Sequence, residues 1–298
     1  MHLGAEEAPV REINRGDGLN DIWLPFYLAA SKEYLAAGAP VFAFGWKRRG
    51  ERNLIAQVPF SIVADLDIFG DRLLILGAQR NEKGEFAPDG AIAWLGPLSE
   101  DLSKLKTVLY SEAGARVKPI NDCGSFEISN VRFLPDGSLV IVPGVEFGVL
   151  LYDANGKLQR TWQSESLGFD AGCKLTEEEA FLLKNDEPAR WNWVNQRRTV
   201  DDILPLAEGP GLLIRTRGPD ETTWRLKILD RKDGGVRTCD IPISSPSGLT
   251  QLHGDVAGDR VVFLLWVHGP GRRRGGPSID LDAPPEVPPR LFTMQLSR

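Results

Sequence analysis

Seven side chains in this chain could do chemistry if the fold brings them together: Asp65, Asn121, Asp122, Glu146, Asp201, Asp202 and His253. Carboxylates, an amide and an imidazole make an oxygen and nitrogen donor set. Such a set suits Ca²⁺ or another divalent metal with open positions. A chain that used it would be a metal-dependent hydrolase or lactonase. The plainer reading is structural. Acids at the starts of strands more often cap turns or stay in water, and a hydrogen-bonded histidine such as His253, flanked by Leu252 and Gly254, is commoner than a ligand.

Other reaction classes lack their motifs. His2 and His268 lie in a terminus and a loop, so the histidines form neither HExxH nor a triad. No GxSxG elbow, no GxGxxG after a strand and no P-loop is present. Cys123, Cys173 and Cys239 are too scattered for a zinc motif. Cys123 and Cys173 flank one repeat and could pair in an exported protein; two free buried thiols are the default. Trp191 and Trp193 would form an aromatic wall beside a ligand or, more simply, pack a helical lid onto the sheets. The run Arg272-Arg273-Arg274 reads as a solvated loop.

Composition narrows the class. The chain has 298 residues, 42% hydrophobic, with 31 Gly and 21 Pro, as expected of a turn-rich all-β protein able to bury a core. A net charge of −6 argues against a nucleic-acid partner. No apolar run approaches the ~20 residues of a transmembrane helix. The N-terminus shows no basic and apolar leader. This predicts a cytoplasmic protein, or a periplasmic or extracellular one if the start is truncated.

The elements that must position these residues repeat. Phe126 to Trp162 reads as four short strands: Ile128–Phe133, Ser138–Val142, Gly148–Tyr152 and Lys157–Trp162. The turn Pro135-Asp136-Gly137 and the hairpin signal Asn155-Gly156 separate them. Turn plus buried strand recurs at Gly70-Asp71, Gly209-Pro210 and Gly258-Asp259. The pattern predicts one all-β domain over 1–298, a β-propeller of about five to six four-stranded antiparallel blades. An irregular first blade covers 16–60, and the others about 61–113, 126–163, 199–243 and 249–298. Residues 9–15 would supply a ring-closing strand. An N-terminal helix is expected over about 25–37, with Pro25 near its start and Gly38 as C-cap. A helical insertion is expected over about 175–198, opened by the capping box Thr176-Glu177-Glu178-Glu179.

The long connections, 78–90, 112–125, 164–199 and 268–289, all fall at one end of the strands. One face is plain and the other elaborated, and function sits on elaborated loops held by a rigid scaffold. FLPDGSLVIVPG followed by LLYDANGKLQRTW resembles the blade signature of bacterial NHL-like and six-bladed TolB-like β-propellers, over roughly Ser61 to Arg298. That resemblance implies a propeller fold. The superfamily includes calcium-dependent lactonases and gluconolactonases, peptidoglycan- or protein-binding modules and envelope proteins. No lactonase ligand motif is matched, so the resemblance assigns no catalytic residue. The reading ranks a monomeric, non-enzymatic scaffold first, holding a protein, peptide or glycan on its looped face through Asp65, Asn121, Asp122, Glu146, Trp191, Trp193, Asp202 and His253. The alternative is a Ca-type lactonase or hydrolase at the mouth of a central channel.

Overall fold

The structure is a computed structural model and describes residues 27–30, 34–38, 43–48, 54–57, 62–78, 93–98, 106–107, 129–144, 148–169, 176–186, 189, 193–194, 196–246, 249–268 and 290–295. Strands dominate. The first sheet holds β1 (Tyr27–Ala30), β2 (Tyr34–Gly38), β3 (Ala43–Arg48) and β4 (Leu54–Gln57). The second holds β5 (Ile62–Phe69), β6 (Arg72–Ala78), β7 (Ala93–Pro97) and β8 (Lys106–Thr107). The third holds β9 (Asn130–Phe133), β10 (Leu139–Val142), β11 (Val149–Tyr152) and β12 (Leu158–Trp162). The fourth holds β13 (Thr199–Pro205), β14 (Pro210–Arg217), β15 (Glu221–Leu229) and β16 (Val236–Pro246). The last has three strands, β17 (Leu249–Ala257), β18 (Arg260–His268) and β19 (Arg290–Gln295).

Every sheet is an antiparallel meander in chain order. The first strands of successive sheets are neighbours: β1 lies against β5, β5 against β9, β9 against β13, and β13 against β17. This is an all-β, propeller-like succession. Among the described residues no strand pairing joins the first and last sheets. The proposed closing strand at 9–15 lies outside the described residues.

The second strands explain the continuous apolar runs. Leu139 and Ile141 of β10 face a core shared with Leu74, Leu76 and Leu95 of the second sheet. Val140 and Val142, on the opposite face, pack with Val200, Leu212 and Ile214 of the fourth sheet. Leu213 of β14 turns the other way, to Leu252, Val261 and Phe263 of the last sheet. Strands buried on both faces have no polar side to display, so period-two alternation disappears from their sequence. Each such Leu contributes about 1.5–3 kcal/mol by burial.

One expectation is corrected. Residues 25–37 do not form a helix where the structure describes them. Tyr27–Ala30 and Tyr34–Gly38 are strands, with Tyr27 opposite Gly38 and Ala30 opposite Leu35. The two Tyr-Leu-Ala-Ala runs have helix-forming composition, but β2 also pairs with β3, from Tyr34 opposite Arg48 to Gly38 opposite Phe44. Backbone pairing on both edges of β2 overrides the intrinsic preference.

The other helix is present. Helix α1 spans Glu177–Asn185, and Thr176 and Glu179 exchange the reciprocal bonds of a capping box. Among the described residues no helix is long and apolar enough to cross a membrane. Cys123 and Cys173 lie outside the described residues, and Cys239 is a free, partly buried thiol.

Candidate functional site

Among the described residues, the first strand of each sheet pairs on one edge only, with the second strand. Its other edge presents backbone N–H groups that need acceptors. Carboxylates from the preceding sheet supply them. Asp65 Oδ2 accepts from Val131 N at 2.9 Å, and Asp67 Oδ2 from Phe133 N at 2.7 Å. The arrangement recurs two sheets on. Asp201 Oδ2 accepts from Leu252 N at 3.2 Å, and Asp202 Oδ2 from Gly254 N at 3.1 Å. Most of the second oxygens turn to the strand's own backbone: Asp65 Oδ1 to Leu66 N, Asp67 Oδ1 to Ile68 N and Asp202 Oδ1 to Ile203 N.

A register shift accompanies each acid pair: in β5 it falls just before the pair, between Val63 and Asp65, and in β13 it takes in Asp201, between Val200 and Asp202. Bulges of this kind re-aim side chains. In β13 the shift allows the adjacent residues Asp201 and Asp202 to address the same neighbouring strand.

The intervening step, from β9 to β13, uses donors instead. Asn130 Nδ2 donates to Val200 O at 2.8 Å. Arg132 Nη2 donates to Asp202 Oδ1 at 2.6 Å, and Arg132 Nη1 lies 3.8 Å from Asp67 Oδ1. One guanidinium therefore sits between two buried carboxylates, whose residues are only 7% and 5% exposed. His253 Nδ1 approaches Asp202 Oδ2 at 3.6 Å, an ion-pair contact too long for a good hydrogen bond. On the far side of β13, Asp201 receives Trp224 Nε1 at 2.7 Å and lies 3.4 Å from Arg215 Nε.

The titration behaviour follows. Burial pushes Asp65 up to about 7, outweighing Arg132 and the Val131 bond. Burial also raises Asp67, against the same cation. Burial would raise Asp202 too, but Arg132 and His253 outweigh it and hold its carboxyl below the usual range. The Asp202 contact raises His253 against its own desolvation.

Of the residues singled out from sequence, Asp65, Asp202 and His253 come together around Arg132. Trp193 stacks under the Arg197 guanidinium, 4.9 Å from ring centre to Cζ. Asn121, Asp122, Glu146 and Trp191 lie outside the described residues. Sequence reasoning missed Asp67, Arg132 and Arg215. A signal for Asp67 and Arg132 exists: polar or charged residues at alternate positions of otherwise apolar first strands, as in Asp65-Leu66-Asp67 and Asn130-Val131-Arg132; Arg215, in the second strand β14, has none of this kind.

The described donors do not fit a divalent cation. Among them no group of three or more His, Cys, Asp or Glu is arranged to hold a metal ion. Arg132 already places a positive charge among the carboxylates, and both oxygens of Asp65 accept backbone N–H groups.

No known protein family matches the sequence, and no curated protein matches it. Solved structures do. A prolyl endopeptidase is 14% identical over 79% of this chain and 29% of its own, with a TM-score of 0.38. The extracellular domain of a protein described as a one-component system of B. thetaiotaomicron is 9% identical over 82% of this chain, with a TM-score of 0.45. The computationally designed Ika4 protein is 12% identical over 73% of this chain, with a TM-score of 0.33. The chain spans about 29% and 27% of the first two. At these scores the similarities specify neither a family nor an activity.

Proposed function

We propose that the chain is a non-enzymatic β-propeller scaffold that holds a protein, peptide or glycan on its long-loop face. The NHL-like and TolB-like resemblance belongs to the same proposal. One observation carries it. Asp65, Asp67, Asp201 and Asp202 are engaged by backbone N–H groups of the next sheet, and Arg132 is engaged by Asp202. Groups used up in joining sheets are poorly placed to turn over a substrate, whereas long connections on a rigid scaffold are the usual carriers of binding residues.

The competing reading is a metal-dependent lactonase or hydrolase using Asp65, Asp122, Glu146, Asp202 and His253. It would require Asp122 and Glu146 to bring a metal to a place where Arg132 supplies the positive charge. Affinity capture tests the scaffold reading. Alanine changes across 190–193 or 272–274 should weaken partner capture, and changes at Asp136 or Asp153 in the plain-face turns should not. Metal analysis with a panel of lactones and esters tests the alternative.

A further inference from the structure

A second polar group lies between the fourth and fifth sheets, outside the carboxylate network. Arg217 ends β14, directly opposite Thr222 of β15, and Thr222 is directly opposite Ser245 of β16. Side chains opposite one another in a ladder share a face. That face is the one that Trp224, Ile243 and Leu213 turn toward the last sheet. Thr250 looks back from β17, two residues before the core residue Leu252. The Arg215 Nη1 bond to Thr250 O, 2.7 Å, fixes that strand beside the group. All four residues sit at the looped ends of their strands, next to the turn at Gly218.

The three hydroxyl residues are buried, Arg217 is half-buried, and their polar atoms are unsatisfied. Thr222 and Thr250 are 0% exposed and Ser245 is 3% exposed. Among the described residues, their three hydroxyl oxygens and Nε and Nη2 of Arg217 have no hydrogen-bond partner. Buried polar groups rarely go unpaired, and one half-buried cation with two buried free N–H groups beside three idle hydroxyls indicates a missing acceptor. Among the described residues no carboxylate lies within ion-pair distance of Arg217. Asp201, the nearest in electrostatic effect, is already engaged by Arg215, Trp224 and Leu252. Burial and the neighbouring Arg215 cation lower Arg217 to about 10, as expected for a charge without its counter-ion.

The free atoms also have a shape. Nε and Nη2 form one edge of the guanidinium fork, the edge that matches the two oxygens of a carboxylate side-on. Three hydroxyls could serve the remaining lone pairs. We propose that Arg217, with the hydroxyls of Thr222, Ser245 and Thr250, forms a site for a carboxylate, that of a peptide C-terminus or a small organic acid. The inference deepens the scaffold reading, since it names the chemistry held at the looped end, and it rests on that reading.

The test is calorimetry and thermal unfolding of the full chain with four probes: an N-acetylated tripeptide acid, its C-terminal amide, acetate and inorganic phosphate. The peptide acid should bind and raise the melting temperature, and its amide should not. A response to acetate as well would support the site and assign it to small acids; its absence would assign it to peptide ends. Arg217→Met should abolish the response while leaving the ligand-free protein as stable or more so, because it removes two buried N–H groups that have no acceptor. Thr250→Val should weaken binding about tenfold, the effect of one lost hydrogen bond to a charged group. If Arg217→Met does not fold, Arg217→Lys, which keeps the charge without the fork, should lose binding by a similar factor. Equal responses to acid and amide, a response to phosphate alone, or an Arg217→Met variant that responds like wild type would each overturn the site. Partner capture that survives such a result would leave the scaffold reading standing. Acid binding without any partner capture would do the reverse.

Discussion

Arg132 Nη2 lies 2.6 Å from Asp202 Oδ1 across 70 residues of sequence, and this pair ties the third sheet to the fourth. Arg132 also faces Asp67 of the second sheet at 3.8 Å, so one side chain connects three sheets.

Removing that cation should be severe. Arg132→Ala leaves Asp67 and Asp202 buried without it, an effect of about 3–5 kcal/mol. Pairing Arg132→Met with Asp202→Asn should recover part of the loss, with a coupling of about 1 kcal/mol or more in urea unfolding. Strictly additive losses would show that the pair does not join the sheets.

Stability should fall as pH rises through neutrality. Asp65 sits at about 7 in the folded protein against 3.8 unfolded, so the folded state binds the extra proton between those values. Its contribution is present at acid pH and lost as pH rises toward 7. His253 is also raised, so its contribution is present below about 6.5 and lost above its folded value. Asp202 is lowered and acts oppositely, losing its contribution only as pH falls below the ordinary carboxylate range. Denaturation midpoints between pH 5 and 8 should therefore decline, and Asp65→Asn should flatten the decline. A midpoint that rises over that interval would contradict the account.

Much of the fold was legible because its signals are local. Asp136-Gly137 turns with Gly137 at φ 79°, where the sequence places a tight turn, and the capping box at Thr176 opens α1. The site was less legible. The Asp67–Phe133 bond spans 66 residues, and nothing near Asp67 indicates which N–H it meets. Asp65, Asp202 and His253 stand out as isolated polar residues, whereas the alternation around Arg132 does not indicate that its guanidinium turns inward or which acids it meets. Composition predicts a helix where Tyr27–Gly38 form a hairpin, because pairing with β3, not local preference, decides it.

Gly254 should tolerate no side chain. Its N–H bonds Asp202, and a Cβ there would stand 2.6 Å from Leu204 Cδ2 and 3.1 Å from Leu213 Cδ1. Gly254→Val should destabilise by about 1–3 kcal/mol through overpacking. Thermal unfolding reads this directly, and an unchanged midpoint would mean the last two sheets pack less closely.

The plain face should matter little. Arg231 pairs with Asp136 across the turns of the third and fourth sheets, but the Asp136 side chain is 48% exposed. Asp136→Ala should change stability by less than about 1 kcal/mol, and less still in high salt. A larger loss would place structural weight where the account puts none.

The central claim is that the inner-strand charges hold the sheets together while the looped face does the binding. The most direct measurement is quantitative partner capture by the full chain, with a lactone and ester turnover assay on the same preparations. Folded variants at Trp191 and Trp193 should lose capture, an Asp136→Ala variant should keep it, and none should show turnover. Capture indifferent to the looped face, or turnover that disappears in Asp65→Asn and Asp202→Asn variants that remain folded, would contradict it.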